Sequence, residues 1–156
     1  MLFNFKGLYS KGLYRPFFDF VFQHTESCSL VVRKMSSLEE RGQAFLKTAS
    51  SELIRTSNQS EWPGTRLIFD KAVIYTFNLS PEFRRLFQDQ ADDLGAWLNP
   101  TLPEDPAFYR RDGSVLFGSV THERDAFAEL TDAETAECRK VIGMENLLKT
   151  GGIMPD

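Results

Sequence analysis

Apolar positions along this chain follow two rhythms, one of about 3.6 residues and one of two, and the switches between them mark the elements. Near the N-terminus Phe18, Phe20 and Phe22 alternate with Asp19 and Val21, which is strand patterning. The polar stretch His24-Thr25-Glu26-Ser27 reads as a turn and Leu30-Val31-Val32 as a returning strand. Residues 1–34 are therefore expected to form an aromatic-rich hairpin on the edge of the main sheet, or an extension peripheral to a single domain at 35–156. Composition changes at Met35-Ser36-Ser37, which would also make an internal start.

Helical spacing begins at Ser37-Leu38-Glu39-Glu40, which matches a capping box. Leu38, Phe45, Ala49 and Leu53, with Leu46 and Ile54 alongside, predict one amphipathic helix over roughly 38–56. Trp62-Pro63-Gly64 turns the chain into two β-rich runs, Arg66–Phe69 and Ala72–Phe77. Ser80-Pro81-Glu82 opens a second helix, with a hydroxyl cap and proline at the first helical position, expected to end near Gly95. Pro100, Pro103 and Pro106 then predict a stiff extended segment that is not a central strand. Asp112-Gly113 between the runs Ala107–Arg110 and Val115–Val120 signals a hairpin with a type I′ turn. Asp125–Leu130 completes a three-stranded meander. A second capping box, Thr131-Asp132-Ala133-Glu134, opens a last helix to about Thr150, with Gly151-Gly152 as its terminator. The expected fold is α+β: a curved antiparallel sheet of about four to six strands with about three helices packed on one face.

Composition sets bounds on this picture. At 156 residues with 42% apolar content, one domain can bury a core without metal or disulfide staples. No run of about 18 apolar residues exists, so no membrane partner is expected. The net charge of −4 leaves no broad basic face for nucleic acid. In the first 34 residues Lys6, Lys11, Arg15 and Asp19 break any signal-peptide core, and two cysteines fit a reducing, cytoplasmic setting. The charge is unevenly placed. Residues 82–134 hold twelve acids against five arginines, whereas residues 1–34 carry five bases and two acids. An acidic face for a basic partner is the reading this layout favours.

The densest polar cluster, His122-Glu123-Arg124-Asp125, offers a histidine beside carboxylates for acid–base or metal chemistry. A zincin pattern is absent, because Ala126 stands where the second histidine is needed. Glu104-Asp105 resembles paired carboxylates, and one of them joins His122 or Glu123 if its loop folds over the meander. No nucleophile elbow or phosphate loop occurs. Cys28 and Cys138 read as structural, so no catalytic residue, cofactor or metal is assigned. The expected contacts for a protein partner are Glu104, Asp105, Tyr109, Asp112, Glu123 and Asp125, with Trp97, Phe108 and Tyr109 as aromatic anchors.

The run Trp97-Leu98-Asn99-Pro100, Leu102-Pro103-Glu104-Asp105, Phe108-Tyr109-Arg110, Asp112-Gly113, Ser119 and His122-Glu123-x-Asp125-Ala126 resembles a segment of small bacterial proteins of unassigned function. It covers about a fifth of the chain. In size and acidity the chain is also similar in type to cytoplasmic immunity proteins that neutralise bacterial toxins. One such superfamily carries a comparable Leu-Pro-Glu-Asp step, though its Asn-Gly-Gly turn has no counterpart here. That likeness implies a non-catalytic inhibitor acting through an acidic face at 99–125. The alternative is a small hydrolase, metal-dependent or not, built on His122, Glu123 and Asp125.

Overall fold

A computed structural model describes residues 1–5, 9, 11–143 and 148–149. The chain opens with strand β1 (Leu2–Asn4), helix α1 (Lys11–His24), strand β2 (Ser27–Val32) and helix α2 (Glu40–Ala49). Strand β3 (Leu53–Gln59) follows, then the small pair β4 (Glu61–Trp62) and β5 (Thr65–Arg66), strand β6 (Ala72–Asn78) and helix α3 (Pro81–Gln90). Strands β7 (Glu104–Tyr109), β8 (Val115–Val120) and β9 (Asp125–Glu129) form the meander, before helix α4 (Asp132–Ile142) and strand β10 (Leu148–Lys149). The main sheet is antiparallel and ordered β10-β1-β9-β8-β7-β2-β6-β3, while β4 and β5 pair separately. The α+β class stands. The sheet is larger than expected, and four α-helices are present among the described residues.

The N-terminal segment is not a hairpin. Tyr14, Phe17, Phe18, Val21 and Phe22 follow helical spacing, and all are buried. Phe20 is buried as well, so aromatics on most sides of α1 imitate a strand alternation. The Phe18 ring packs 4.9 Å from Tyr14, 5.3 Å from Phe87 and 5.4 Å from Phe108 and Phe117. Phe3 and Phe5 join the same core as the α1 aromatics, so the described part of residues 1–33 contributes to the domain's interior and is not a peripheral extension. All four helices supply side chains to this cluster: Phe17 from α1, Phe45 from α2, Phe87 from α3 and Cys138 from α4. A smaller cluster of Val31, Trp62, Ala72 and Ile74 holds the β4–β5 pair.

The expected helix over 38–56 is two elements. Helix α2 stops at Ala49, a short 3-10 turn covers Ser50–Glu52, and β3 begins at Leu53. Ser37 makes no capping box; its hydroxyl donates to the Lys34 carbonyl, and Glu39 is the cap residue. Two other starts form as the sequence indicates. Ser80 accepts from the Phe83 amide, and Thr131 and Glu134 make both bonds of a capping box. Helix α3 ends at Gln90, short of Gly95, and α4 ends at Ile142 with Gly143 as its cap. The Gly151-Gly152 terminator lies outside the described residues. Cys28 and Cys138 are buried free thiols. Burial pushes Cys28 well up, and burial with Glu137 nearby pushes Cys138 up to about 12, so neither presents a thiolate.

Candidate functional site: a buried carboxylate cluster and an uncovered sheet margin

The Pro-rich segment does enter a central strand, because the sheet bulges around it. Ser29 pairs with Ala107 and Val31 with Glu104, so Asp105 and Pro106 together oppose Leu30. At such a bulge the missing proline N–H leaves no ladder bond unmade. Asp105 takes a left-handed conformation, φ 53°, which a short polar residue accepts more readily than most. Its carboxylate then replaces lost backbone pairing: Trp62 Nε1 donates to Oδ2 at 2.9 Å and the Thr121 amide to Oδ1 at 2.8 Å. Ser119 Oγ donates to the Pro106 carbonyl at 2.8 Å. The Asn99 side chain ties this segment to β2, donating to the Val31 carbonyl at 3.1 Å and accepting from the Arg33 amide at 3.0 Å.

This bulge brings Glu104 to His122, with Nδ1 4.0 Å from Oε2, while His122 Nε2 lies 3.7 Å from Glu123. One of the paired carboxylates thus does join His122, through strand register and not through a folded-over loop. Glu104 and Asp105 are 4% and 1% exposed, so neither belongs to an exposed acidic face, contrary to the sequence expectation. Arg33 compensates them, with Nε 3.3 Å from Glu104 and an Nη 3.9 Å from Asp105, and its guanidinium lies 4.8 Å over the Trp62 ring. Burial pushes the Glu104 carboxyl up, Asp105 adds to this, and Arg33 opposes it. Glu104, Asp105 and His122 offer ligand atoms within 4.8 Å of one another, the geometry of a cation site. Arg33 supplies one positive charge there against the two carboxylates, so it offsets the cluster in part. A hollow of about 300 Å³ beside it is lined by Arg33, Thr65, Arg66, His122 and Glu123.

The remaining residues of the expected face are scattered. Half-buried Tyr109 shares a 2.9 Å hydrogen bond with Ser29 Oγ. Asp112 is exposed on the β7–β8 turn, and its carboxyl is held below the usual range by bonds from the Ser114 hydroxyl and amide. That turn is not type I′: Gly113 alone has positive φ, and its amide donates to the Arg110 carbonyl. It fits a type I turn closed by a glycine bulge. Glu123 and Asp125 sit at the opposite end of the β8 strand. Asp125 accepts from Asn4 Nδ2 at 3.0 Å and faces a second hollow of about 440 Å³ with Tyr9 and Arg124, away from the His122 cluster. Trp97 and Phe108 are fully buried core residues and not surface anchors.

The exposed apolar side chains lie elsewhere. Strand β3 ends the sheet, and among the described residues nothing pairs with its outer edge. Ile54 is 52% exposed at its start; Ile68 is 83% and Phe69 fully exposed beside its end. Ile68 and Phe69 line an open hollow with Ser60, Asp70 and Lys71. The sequence reading placed Leu53 and Ile54 on a helix and Ile68-Phe69 in a strand, which hid this margin. The β-branched pair Ile54 and Thr56, following Ser50-Ser51 after Glu52-Leu53, was the available signal.

No family model, no curated protein and no solved structure matches the chain. No helix among the described residues is long and apolar enough to cross a membrane.

Proposed function

We propose that this protein acts by binding another protein, as an inhibitor of the immunity type does, and that it binds through the β3 margin. The observation that carries this reading is Phe69, a phenylalanine with its whole side chain in solvent beside an unpaired strand edge. Soluble chains protect such edges with charge, proline or cover, whereas β3 has Arg55 as its single charge and no proline. An exposed edge takes an extended segment by strand addition, with backbone bonds giving affinity and flanking apolar side chains giving selectivity. A cytoplasmic setting fits the two free thiols. The acidic residues that remain exposed, Asp112 and Glu123 among them, then serve solubility and steering more than contact.

A second reading rests on the approach of Glu104 to His122 beside the Arg33-lined hollow. A carboxyl raised by burial next to an exposed imidazole suits a small hydrolase, with the pair as acid and base. In that reading Glu104 takes the place that sequence gave to Asp125.

Photo-crosslinking in cells separates these. With Phe69→p-benzoylphenylalanine, light should yield a covalent protein adduct, while the same change at Glu123 should not. Adducts from position 123 and none from position 69 would return the contact to the acidic segment and overturn the reading.

A further inference from the structure

We infer that the β3 margin pairs with the β3 margin of a second copy of this chain, giving a two-fold dimer with one continuous antiparallel sheet. The inference rests on the reading of this margin as an association surface: a second copy covers it while no other protein is bound, and the two occupants exclude one another. Three observations point to self-pairing.

The first is the strand itself. Antiparallel pairing of Leu53–Gln59 about its middle residue sets Thr56 against Thr56 and Arg55 against Ser57, and the bulge between Leu53 and Arg55 offsets the register beyond them. The one charge on the strand never meets itself, and opposed threonines are a favourable cross-strand pair. All residues of the strand except half-buried Ser57 are exposed.

The second is the distribution of exposed apolar groups at the two ends. Leu53 and Ile54 mark the start of β3, whereas Ile68 and Phe69 flank its finish, where Gln59 pairs with Ala72. An antiparallel dyad brings the start of one strand to the finish of the other. Each copy's Ile68-Phe69 hollow thus receives its partner's Leu53-Ile54, twice by symmetry, in an isologous contact. Burying each phenylalanine adds apolar contact to the backbone bonds.

The third is charge. Half-buried Glu52 precedes the strand, its carboxylate accepting from Asn78 Nδ2 at 3.5 Å on the β6 side. Exposed Lys71 stands at the far end, so the dyad brings opposite formal charges to the same ends without a direct pair. Asp70, the nearby acid, turns its carboxylate onto the Lys71 amide at 2.8 Å.

Sedimentation equilibrium on the full chain tests this, with charge swaps at the dyad. The wild type should sediment at twice 17.8 kDa at micromolar concentration. Thr56→Lys and Thr56→Glu should each sediment as monomers, because like charges then oppose one another at the axis. An equimolar mixture of the two should recover the dimer with at least a tenfold gain in association constant over either alone. Wild type that is monomeric up to about 1 mM, the weak end of ordinary affinities, overturns the inference. A dimer unaffected by either swap overturns it too. In both cases a heterologous adduct at position 69 would still uphold the margin as a binding surface, so the two claims fail separately.

Discussion

Two glutamates show how single residues in this fold respond to pH in opposite senses. Glu134 is opposed by burial, but Arg110 and the Thr131 amide more than offset this and hold its carboxyl below the ordinary 4.5. Its geometry is that of a forked ion pair, with Arg110 Nη at 2.6 Å and Nε at 3.1 Å, and it completes the α4 cap. A lowered folded value means stability present above the ordinary value and lost as pH falls through the folded one. Glu104 is raised, so its contribution runs the other way: full below the ordinary 4.5 and lost as pH rises through the folded value. Denaturant melts across pH 3–8 should therefore show that Glu134→Gln costs about 2 kcal/mol at neutral pH and little in acid. Glu104→Gln should instead flatten the decline above pH 4.5, with little loss at neutral pH. Identical pH profiles for the two variants would refute this assignment.

At the scale of elements, the β7 bulge decides what the sheet centre contains. Asp105 satisfies the Trp62 ring N–H and the Thr121 amide at once, so Asp105→Ala strands two buried donors. That change should cost about 3 kcal/mol and lower Tm by about 10 °C. Asp105→Asn, which keeps one acceptor oxygen and tolerates positive φ, should cost less than half as much. Equal losses from the two variants in a thermal melt would show that one acceptor oxygen is not enough, and that the bulge needs both carboxylate oxygens or the charge facing Arg33.

The same scale shows which parts of the fold were legible in sequence. Ser80-Pro81 and Thr131…Glu134 announce α3 and α4 because capping is local chemistry, closed within three residues. Strands β8 and β9 were legible for a similar reason, their tight turns being written in Asp112-Gly113 and Thr121–Arg124. Helix α1 was hidden because Phe20, off the helical face of Tyr14, Phe17, Phe18 and Phe22, is buried as well, and Phe18, Phe20 and Phe22 then imitate a period of two. Glu104 and Asp105 were read as surface acids because their partners Arg33 and Trp62 both lie far back along the chain. No local pattern reports a burial that depends on remote compensation. The proline rule failed at Pro106 for a related reason: the bulge that admits it is defined by Leu30 across the ladder.

At the scale of the whole molecule, the net charge of −4 gives a poor map of the surface. The acidic block is divided among a buried cluster, two turns at opposite ends of a hairpin, and helix caps. What distinguishes one side of the molecule is the β3 margin, where backbone donors and acceptors lie open between two exposed apolar groups. Hydrogen exchange read as a function of protein concentration tests that margin directly. Amides of residues 53–59 that do not bond to β6 should gain protection as concentration rises from about 1 μM to about 1 mM, the affinity range of weak to moderate association. Amides of 132–142 in α4 should not change. Exchange across 53–59 that is fast and independent of concentration, with no protected partner surface at Ile68-Phe69, would contradict the account.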